Sequence, residues 1–335
     1  MKGKAVVFPD RNRVSFQTVD IPESGDDDIV VEVRHSWISA GTEGSFLRGE
    51  RIAGERPYAE GDPWPFPHAA GYQKVGIVRS VGRAVQGLRE GDRVFVAMSR
   101  VSGLYFAEAG HIQPSVSGAD QVWKLPDETD DKSMSAYAGL VLAQVGYNCG
   151  MRPAVAPGEL AVVIGDGLVG HWAAQTLAHR GAEVAMLGRH DGRLGLVEAS
   201  VRKVNLRRES AGLALRGEAV AIVVDTVGAM DTVRELQPLM KRDSHLVSAG
   251  YLGTEGVVDI QKLREQEITL HTPSGWTGPR MEATIQAIRE GWLKTVPLIT
   301  HRYPADEAEK AWELIRGGSE ACLGVLLDWE GVSEA

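Results

Sequence analysis

The sequence predicts an α/β protein in two parts, a small β-rich domain and a doubly wound parallel sheet, and three features predict it. Short strand-like runs between Gly, Pro and Asp turns fill the first third of the chain. Beyond about Ala136, apolar five-residue runs alternate with helical segments, the pattern of a parallel sheet covered on both faces. A glycine-rich turn, Gly165-Asp-Gly-Leu-Val-Gly170, stands between an apolar run and a helix-like segment.

In chain order, strands are expected near residues 4–8, 29–36, 73–81 and 93–98. The second part supplies strand candidates at 160–164, 183–187, 219–225 and 245–250, with a helix over 171–180. After Glu290 come a strand-like piece at 298–303, a helix at 305–316 and a strand at 324–328. That tail is assigned back to the first domain, giving a discontinuous domain of 1–141 with 291–335 around a second domain of 142–290.

A chain of 335 residues is too long for one ordinary core and suits two domains. Hydrophobic content of 43% and charged content of 24% are those of a soluble globular enzyme. The net charge of −9, with no basic cluster, argues against nucleic acid or an anionic membrane as partner. No uncharged apolar run reaches the length of a bilayer span, and the start, Met1-Lys-Gly-Lys-Ala-Val-Val, lacks the apolar core of a signal peptide. Only Cys149 and Cys322 occur, so neither a disulfide framework nor a Cys-rich metal site is expected, and a reducing cytoplasm is the simple expectation.

The glycines carry the first chemical signal. A strand that reverses sharply into a helix needs a residue tolerating positive φ, which Gly165 supplies. Gly167 lets a pyrophosphate approach the main chain, and Gly170 lets helix and strand pack closely. The helix start at Leu168 and Val169 then offers N–H groups and the positive end of its dipole to phosphates. Asp166 departs from the pattern, and its carboxylate is expected to point away from the phosphates.

Several motifs in order resemble the medium-chain dehydrogenase/reductases over nearly the whole chain. They are Pro67-His-Ala-Ala-Gly-Tyr-Gln-Lys-Val-Gly76, Val81-Gly-Arg-Ala-Val-Gln-Gly-Leu-Arg-Glu-Gly-Asp-Arg-Val94, the glycine turn, and Leu298-Ile-Thr-His301. The resemblance implies a GroES-like catalytic domain, a Rossmann cofactor domain, a substrate cleft between them, and hydride transfer to or from NAD(P). Ser39-Ala-Gly-Thr-Glu43 with Gly71-Tyr-x-x-Val-Gly76 is similar to the branch that includes 3-hydroxyethyl bacteriochlorophyllide dehydrogenases, although Gln73 stands where that branch commonly carries an acid.

Zinc-dependent members of the resembled family carry metal ligands at positions occupied here by Ala40, Tyr72 and the Gly139–Leu140 region. A catalytic zinc needs about three N, S or O ligands, so no metal site is expected. The four-Cys structural lobe is missing too, since Phe95 to Pro114 contains no Cys. Hydroxyl groups must then polarise the substrate oxygen. Thr42 matches the family's proton-relay hydroxyl, Tyr72 stands where a ligand would, and Glu43 is placed to orient either. The bland readings are a turn-satisfying Thr42, a space-filling Tyr72 and a capping or ion-paired Glu43. His68, His111 and His301 are weaker proton-donor candidates. Ser39 and Trp276 are assigned to the substrate pocket, while Trp37, Tyr58, Trp64, Phe66 and Tyr105 fit pocket or core equally well.

Cofactor choice turns on the end of the second strand of the nucleotide domain. NAD sites usually place an acid there, and a 2′-phosphate needs its absence and a cation. Here Gly188-Arg189-His190-Asp191 follows the strand, with Arg193 beyond, so NADP is the expected cofactor, while Asp191 keeps NAD open. Thr226, Gly228 and Gly250 end two further apolar strands and are candidates for contacts to ribose and nicotinamide. The leading reading is a zinc-independent, NADP-preferring alcohol dehydrogenase or carbonyl reductase acting on a small molecule. An enoyl or quinone reductase and a non-catalytic cofactor-binding protein are the alternatives. A homodimer or homotetramer is expected from the resemblance, with residues 256–260 as a strand edge.

Overall fold

The computed structural model describes residues 1–54, 56–253, 256–318 and 322–332, and the chain divides into two compact units, Met1–Val141 with Ile299–Ala335, and Leu142–Leu298. In the first unit the long strand Asp28–Ile38 is the hub. It pairs antiparallel with Lys74–Val81, Ser115–Gly118 and the C-terminal strand Gly324–Asp328. This last pairing builds the tail into the N-terminal sheet. Helix Ala308–Gly317 lays Trp312 on the same core as Val6, Phe8, Ile38, Leu327 and Trp329. Burying such side chains contributes roughly 1.5–3 kcal/mol each.

The expected return to the first unit at residue 291 falls instead at Ile299. The reason is a polar tie: Trp172 Nε1 and Gln175 Nε2 both donate to the Lys294 carbonyl at 3.2 Å, and the Lys294 N–H donates to Gln175 Oε1 at 2.7 Å. Residues ahead of Leu298 are thereby held on the helix that follows the glycine turn.

The second unit is a six-stranded sheet in the order Arg202–Asn205, Glu183–Gly188, Leu160–Ile164, Val220–Asp225, Met240–Ser248, Thr269–His271, with every neighbouring pair parallel. Numbered along the chain this order is 3-2-1-4-5-6, that of a Rossmann domain. Along the first strand Ala161 and Val163 face one apolar cluster while Val162 and Ile164 face the other, so both faces are covered. That is why the strand reads as an unbroken apolar run.

Two expectations need correction. Residues 256–260 form no strand: Asp259 instead caps helix Ile260–Glu265, its carboxylate accepting from the N–H groups of Gln261 and Lys262. The helix after the glycine turn begins at Leu168, ahead of the expected His171, because Gly167 is extended and serves as N-cap. No helix among the described residues is long and apolar enough to cross a membrane.

Lys74 is fully buried, and its Nζ donates to the carbonyls of Ala97 and Ala109 at 3.1 and 3.4 Å. Burial pushes its ammonium down from 10.5 to about 7. Between about 7 and 10.5 the unfolded chain holds the extra proton, so stability falls as pH drops through that interval and the loss is complete below about 7. Urea denaturation of Lys74→Met across this range is expected to show that slope flattened relative to the parent protein. Parallel slopes would remove Lys74 as its source.

Candidate active site

The turn after the first strand of the Rossmann unit is built by sterics. Gly165 has φ +113°, and a Cβ there would meet Thr226 Oγ1 at 2.5 Å. A Cβ on Gly170 would overlap the Gly165 carbonyl oxygen. At Gly167, in contrast, a Cβ would meet nothing within 4 Å. The open space lies where the first turn of helix Leu168–His179 directs N–H groups that have no carbonyl one turn back. Thr226 fixes the next strand against the turn by donating to the Ile164 carbonyl at 2.8 Å. The fully buried Asp225 accepts from the N–H groups of Val227 and Gly228 through Oδ1, and its Oδ2 has no partner among the described residues. Gly250 packs so closely on Gly228 that a Cβ would overlap the Gly228 nitrogen. These residues converge at the carboxyl ends of the first, fourth and fifth strands, and the cradle fits a dinucleotide.

Asp166 sits on the far side of the same turn. Its Oδ2 accepts from the N–H groups of Arg189 and His190 at 2.7 and 2.8 Å, and the His190 ring and Arg193 lie at 3.1 and 3.8 Å. Burial opposes ionisation, yet the bonds from His190 and Arg189 outweigh it and hold the carboxyl below its ordinary value. The same carboxylate occupies the space a side chain at Gly188 would need, so the second strand cannot end in an acid. Asp191, the nearest acid beyond, accepts from Asn205 and Arg208 at 2.7 and 2.8 Å. Among the described residues Arg189 and Arg207 form no ion pair, and they line a hollow of about 400 Å³ together with Arg208 and Ser210 and with the acids Glu209, Asp231 and Glu235. His171, on the first helix, is buried, and burial pushes its imidazole down to about 4.

In the first unit the structure gathers Ser39, Thr42, Glu43 and Tyr72. Helix Thr42–Leu47 begins with Thr42, and the Glu43 carboxylate reaches back to accept the Ser39 N–H at 2.7 Å while the Glu43 N–H donates to the Ser39 carbonyl at 2.9 Å. This is the reciprocal logic of a capping box, here in a buried setting. The Tyr72 phenol donates to Ser39 Oγ at 2.6 Å and also contacts the Thr42 side chain. Burial pushes this phenol up to about 12, with the Glu43 charge acting in the same direction. The sequence grouped Thr42, Glu43 and Tyr72, set Ser39 in the substrate pocket and offered His111 as a weaker proton donor, but it did not pair that ring with Glu43: His111 Nε2 lies 3.0 Å from Glu43 Oε2.

The other candidates separate into core and periphery. His68 Nδ1 donates to the Pro65 carbonyl at 2.9 Å inside a ring of Phe8, Phe46, Phe66 and Phe106, a packing role. Trp37 is fully buried beneath Gly139 and belongs to the core. His301 is half-buried, hydrogen-bonded to Thr300. Trp276 lies half-buried in the Rossmann unit, ahead of helix Gly278–Arg289. Among the described residues no three His, Cys, Asp or Glu side chains meet as a metal set. Ala40 offers no ligand atom and Tyr72 offers a protonated phenol in place of an imidazole or thiolate, so these positions do not fit a catalytic zinc.

Residues 194–321 match the zinc-binding dehydrogenase family model. The chain is 25% identical to 2-desacetyl-2-hydroxyethyl bacteriochlorophyllide A dehydrogenase of Cereibacter sphaeroides, an alignment covering 99% of this chain and 100% of that protein. Its fold is shared with an Escherichia coli CFT073 alcohol dehydrogenase solved with NADH, at TM-score 0.83 and 20% identity over 98% of this chain and 99% of that one. It is also shared with a zinc-binding dehydrogenase of Sinorhizobium meliloti 1021 solved with NADP, at TM-score 0.80 and 19% identity over 98% and 99%.

The glycine geometry predicts two different failures. Gly170→Ala is expected to cost about 1–3 kcal/mol of stability, since its Cβ forces backbone apart, and to weaken nicotinamide-dinucleotide binding. Gly167→Ala is expected to leave the urea midpoint near the parent's while cutting affinity about tenfold or more. Fluorescence titration and urea denaturation of both variants check this, and equal stability losses would contradict it.

Proposed function

We propose, from its similarity to the medium-chain dehydrogenase/reductases, that the chain is a zinc-independent enzyme that interconverts an alcohol and a carbonyl by hydride transfer, with NADP preferred. The coarse part rests on relatives and structural neighbours that are alcohol and polyol dehydrogenases: the chain is an oxidoreductase using a nicotinamide cofactor. The observation that carries the finer reading is the hydroxyl cluster of Tyr72, Ser39 and Thr42 at a position where zinc-dependent relatives hold metal.

When bound, the nicotinamide supplies or takes the hydride, and the chain's own task is the oxygen. A phenol pushed up to about 12 stays protonated at neutral pH, and its one O–H, which Ser39 Oγ accepts in the structure, turns to the substrate oxygen when that oxygen arrives. Its interaction strengthens as charge develops on the substrate oxygen, which is the condition for accelerating the step. Ser39 and Thr42 keep the phenol oriented, and Glu43 holds the backbone that carries them. The substrate is a small-molecule alcohol, aldehyde or ketone, and conversion of enones in place of ketones would move the reading to an enoyl or quinone reductase.

NADP preference is supported at the adenosine end. Arg189 and Arg207 are cations that form no ion pair among the described residues, Asp191 is committed to Asn205 and Arg208, and Asp166 excludes an acid from position 188. A guanidinium pairs with phosphate through a rigid fork, so Arg189 fits a 2′-phosphate better than ribose hydroxyls.

Three measurements test the proposal. NADPH is expected to bind about tenfold or more tightly than NADH, with Arg189→Ala removing most of that difference, and tighter NADH binding refutes the preference. Tyr72→Phe is expected to lower kcat roughly 10²-fold or more with cofactor affinity unchanged, and unchanged turnover removes the phenol from the mechanism. Near-stoichiometric zinc in the purified, active protein would overturn zinc independence.

A further inference from the structure

The reading above leaves unused a fully buried imidazole behind the hydroxyl cluster. His111 is 0% exposed, and both of its nitrogens are engaged, Nε2 with Glu43 Oε2 at 3.0 Å and Nδ1 with Ser36 Oγ at 2.8 Å. Ser36 Oγ in turn accepts from Trp329 Nε1 at 2.8 Å. An indole N–H can only donate, so the Ser36 hydroxyl receives that bond and has its own proton free for His111 Nδ1. On the other side a carboxylate can only accept, so Nε2, 3.0 Å from Glu43 Oε2, is assigned a proton.

We propose that His111 is the positioning residue of the oxygen-binding hydroxyls: its Nε2–H fixes the buried Glu43 carboxylate so that Glu43 holds the Ser39 main chain, and through it the Ser39 hydroxyl and the Tyr72 phenol. This rests on the reading that those hydroxyls meet the substrate oxygen. Glu43 is 2% exposed and accepts one bond from Ser39 and one from His111. A buried carboxylate deprived of a donor turns towards another or draws in water, because an unsatisfied acceptor is costly to leave. Either response releases the Ser39 N–H.

The backbone is shaped for this ring. Gly71, directly before Tyr72, has φ +83°, and a Cβ there would meet His111 Nε2 and Cδ2 at 2.6 Å. Gly110, directly before His111, packs against Gly71 so closely that a Cβ would overlap that backbone. Two glycines thus bring the segment of Tyr72 and the segment of His111 into contact, with the imidazole wedged between Gly71 and Glu43. A phenyl ring would satisfy the packing but not the donor and acceptor at the two nitrogens.

The experiment compares His111→Phe, Glu43→Gln and the parent protein by two readouts. The first needs no substrate: nitrogen-15 NMR of the imidazole and hydrogen exchange of the Ser39 amide. A protonated Nε2 and a Ser39 amide that exchanges about tenfold or more faster in His111→Phe are expected. The second is the split between kcat and KM, with kcat down about tenfold or more in each single variant, NADPH affinity unchanged, and the double variant no worse than the poorer single one. Should His111→Phe fail to fold, Glu43→Gln carries both readouts alone. A ring without a proton on Nε2, an unchanged Ser39 amide, or losses that multiply in the double variant would each overturn the assignment. If no alcohol or carbonyl is turned over by the parent, the functional reading fails while the NMR and exchange results still decide the role of His111.

Discussion

Buried carboxylates that find their donors in the main chain are the constraint on which the candidate site residues of each unit depend. Glu43 takes the Ser39 N–H, Asp166 takes those of Arg189 and His190, and Asp225 takes those of Val227 and Gly228. A charge-assisted bond to a backbone N–H is roughly twice as strong as a neutral one. Removing a carboxylate from water without such donors costs several kcal/mol. The acids therefore do not decorate loops that fold independently; the loops take the shape that satisfies the acids. Each of the three segments so shaped presents one candidate group, a hydroxyl in the first unit and a guanidinium and a glycine in the second.

Steric absences complete the same design, and they occur in pairs. Gly188 is bare because Asp166 fills its side-chain volume, and Gly71 is bare because His111 fills its own. In each case the occupant comes from a distant stretch of chain and is polar. A substitution at either glycine would act first on the hydrogen bonds of its partner, and only then on local backbone preference. Gly165 and Gly170 form a third pair, but there the filling group is a carbonyl of the turn itself, which is why that motif is legible as a contiguous string.

That difference explains how far the sequence could be read. Apolar runs such as Leu160–Ile164 name their own secondary structure because both faces of the strand are buried. The hydroxyl cluster was also legible, since Ser39, Thr42 and Glu43 fall within one turn of chain and Tyr72 follows a recognisable glycine. The Glu43–His111 pair was not, because 68 residues separate its members and a single His carries no pattern of its own. Asp166 could be flagged as unusual, but its target could not be named until the second strand was placed beside the first. Residues 256–260 misled for a local reason: their β-branched apolar content suggests a strand, while the Asp259 cap starts a helix.

On the proposed reading the phenol of Tyr72 stands in for a metal, and a positioned donor can do so only inside such a frame. A Lewis acid tolerates some misplacement, because its charge attracts an oxygen from many directions. A hydroxyl donor acts along one line, and its interaction weakens steeply as that line bends. Raising the phenol to about 12 secures its proton but makes it a weak acid, so the benefit comes from alignment with the oxygen as charge grows there. Alignment in turn requires that Ser39 and Thr42 not drift, and Ser39 is pinned at both its N–H and its carbonyl by Glu43. The Glu43 charge carries a cost of its own, since it also raises the phenol by repelling the phenolate. On the proposed reading the site keeps the Glu43 charge close to the developing oxyanion in exchange for geometry, with His111 Nε2 at 3.0 Å as the tether of that carboxylate.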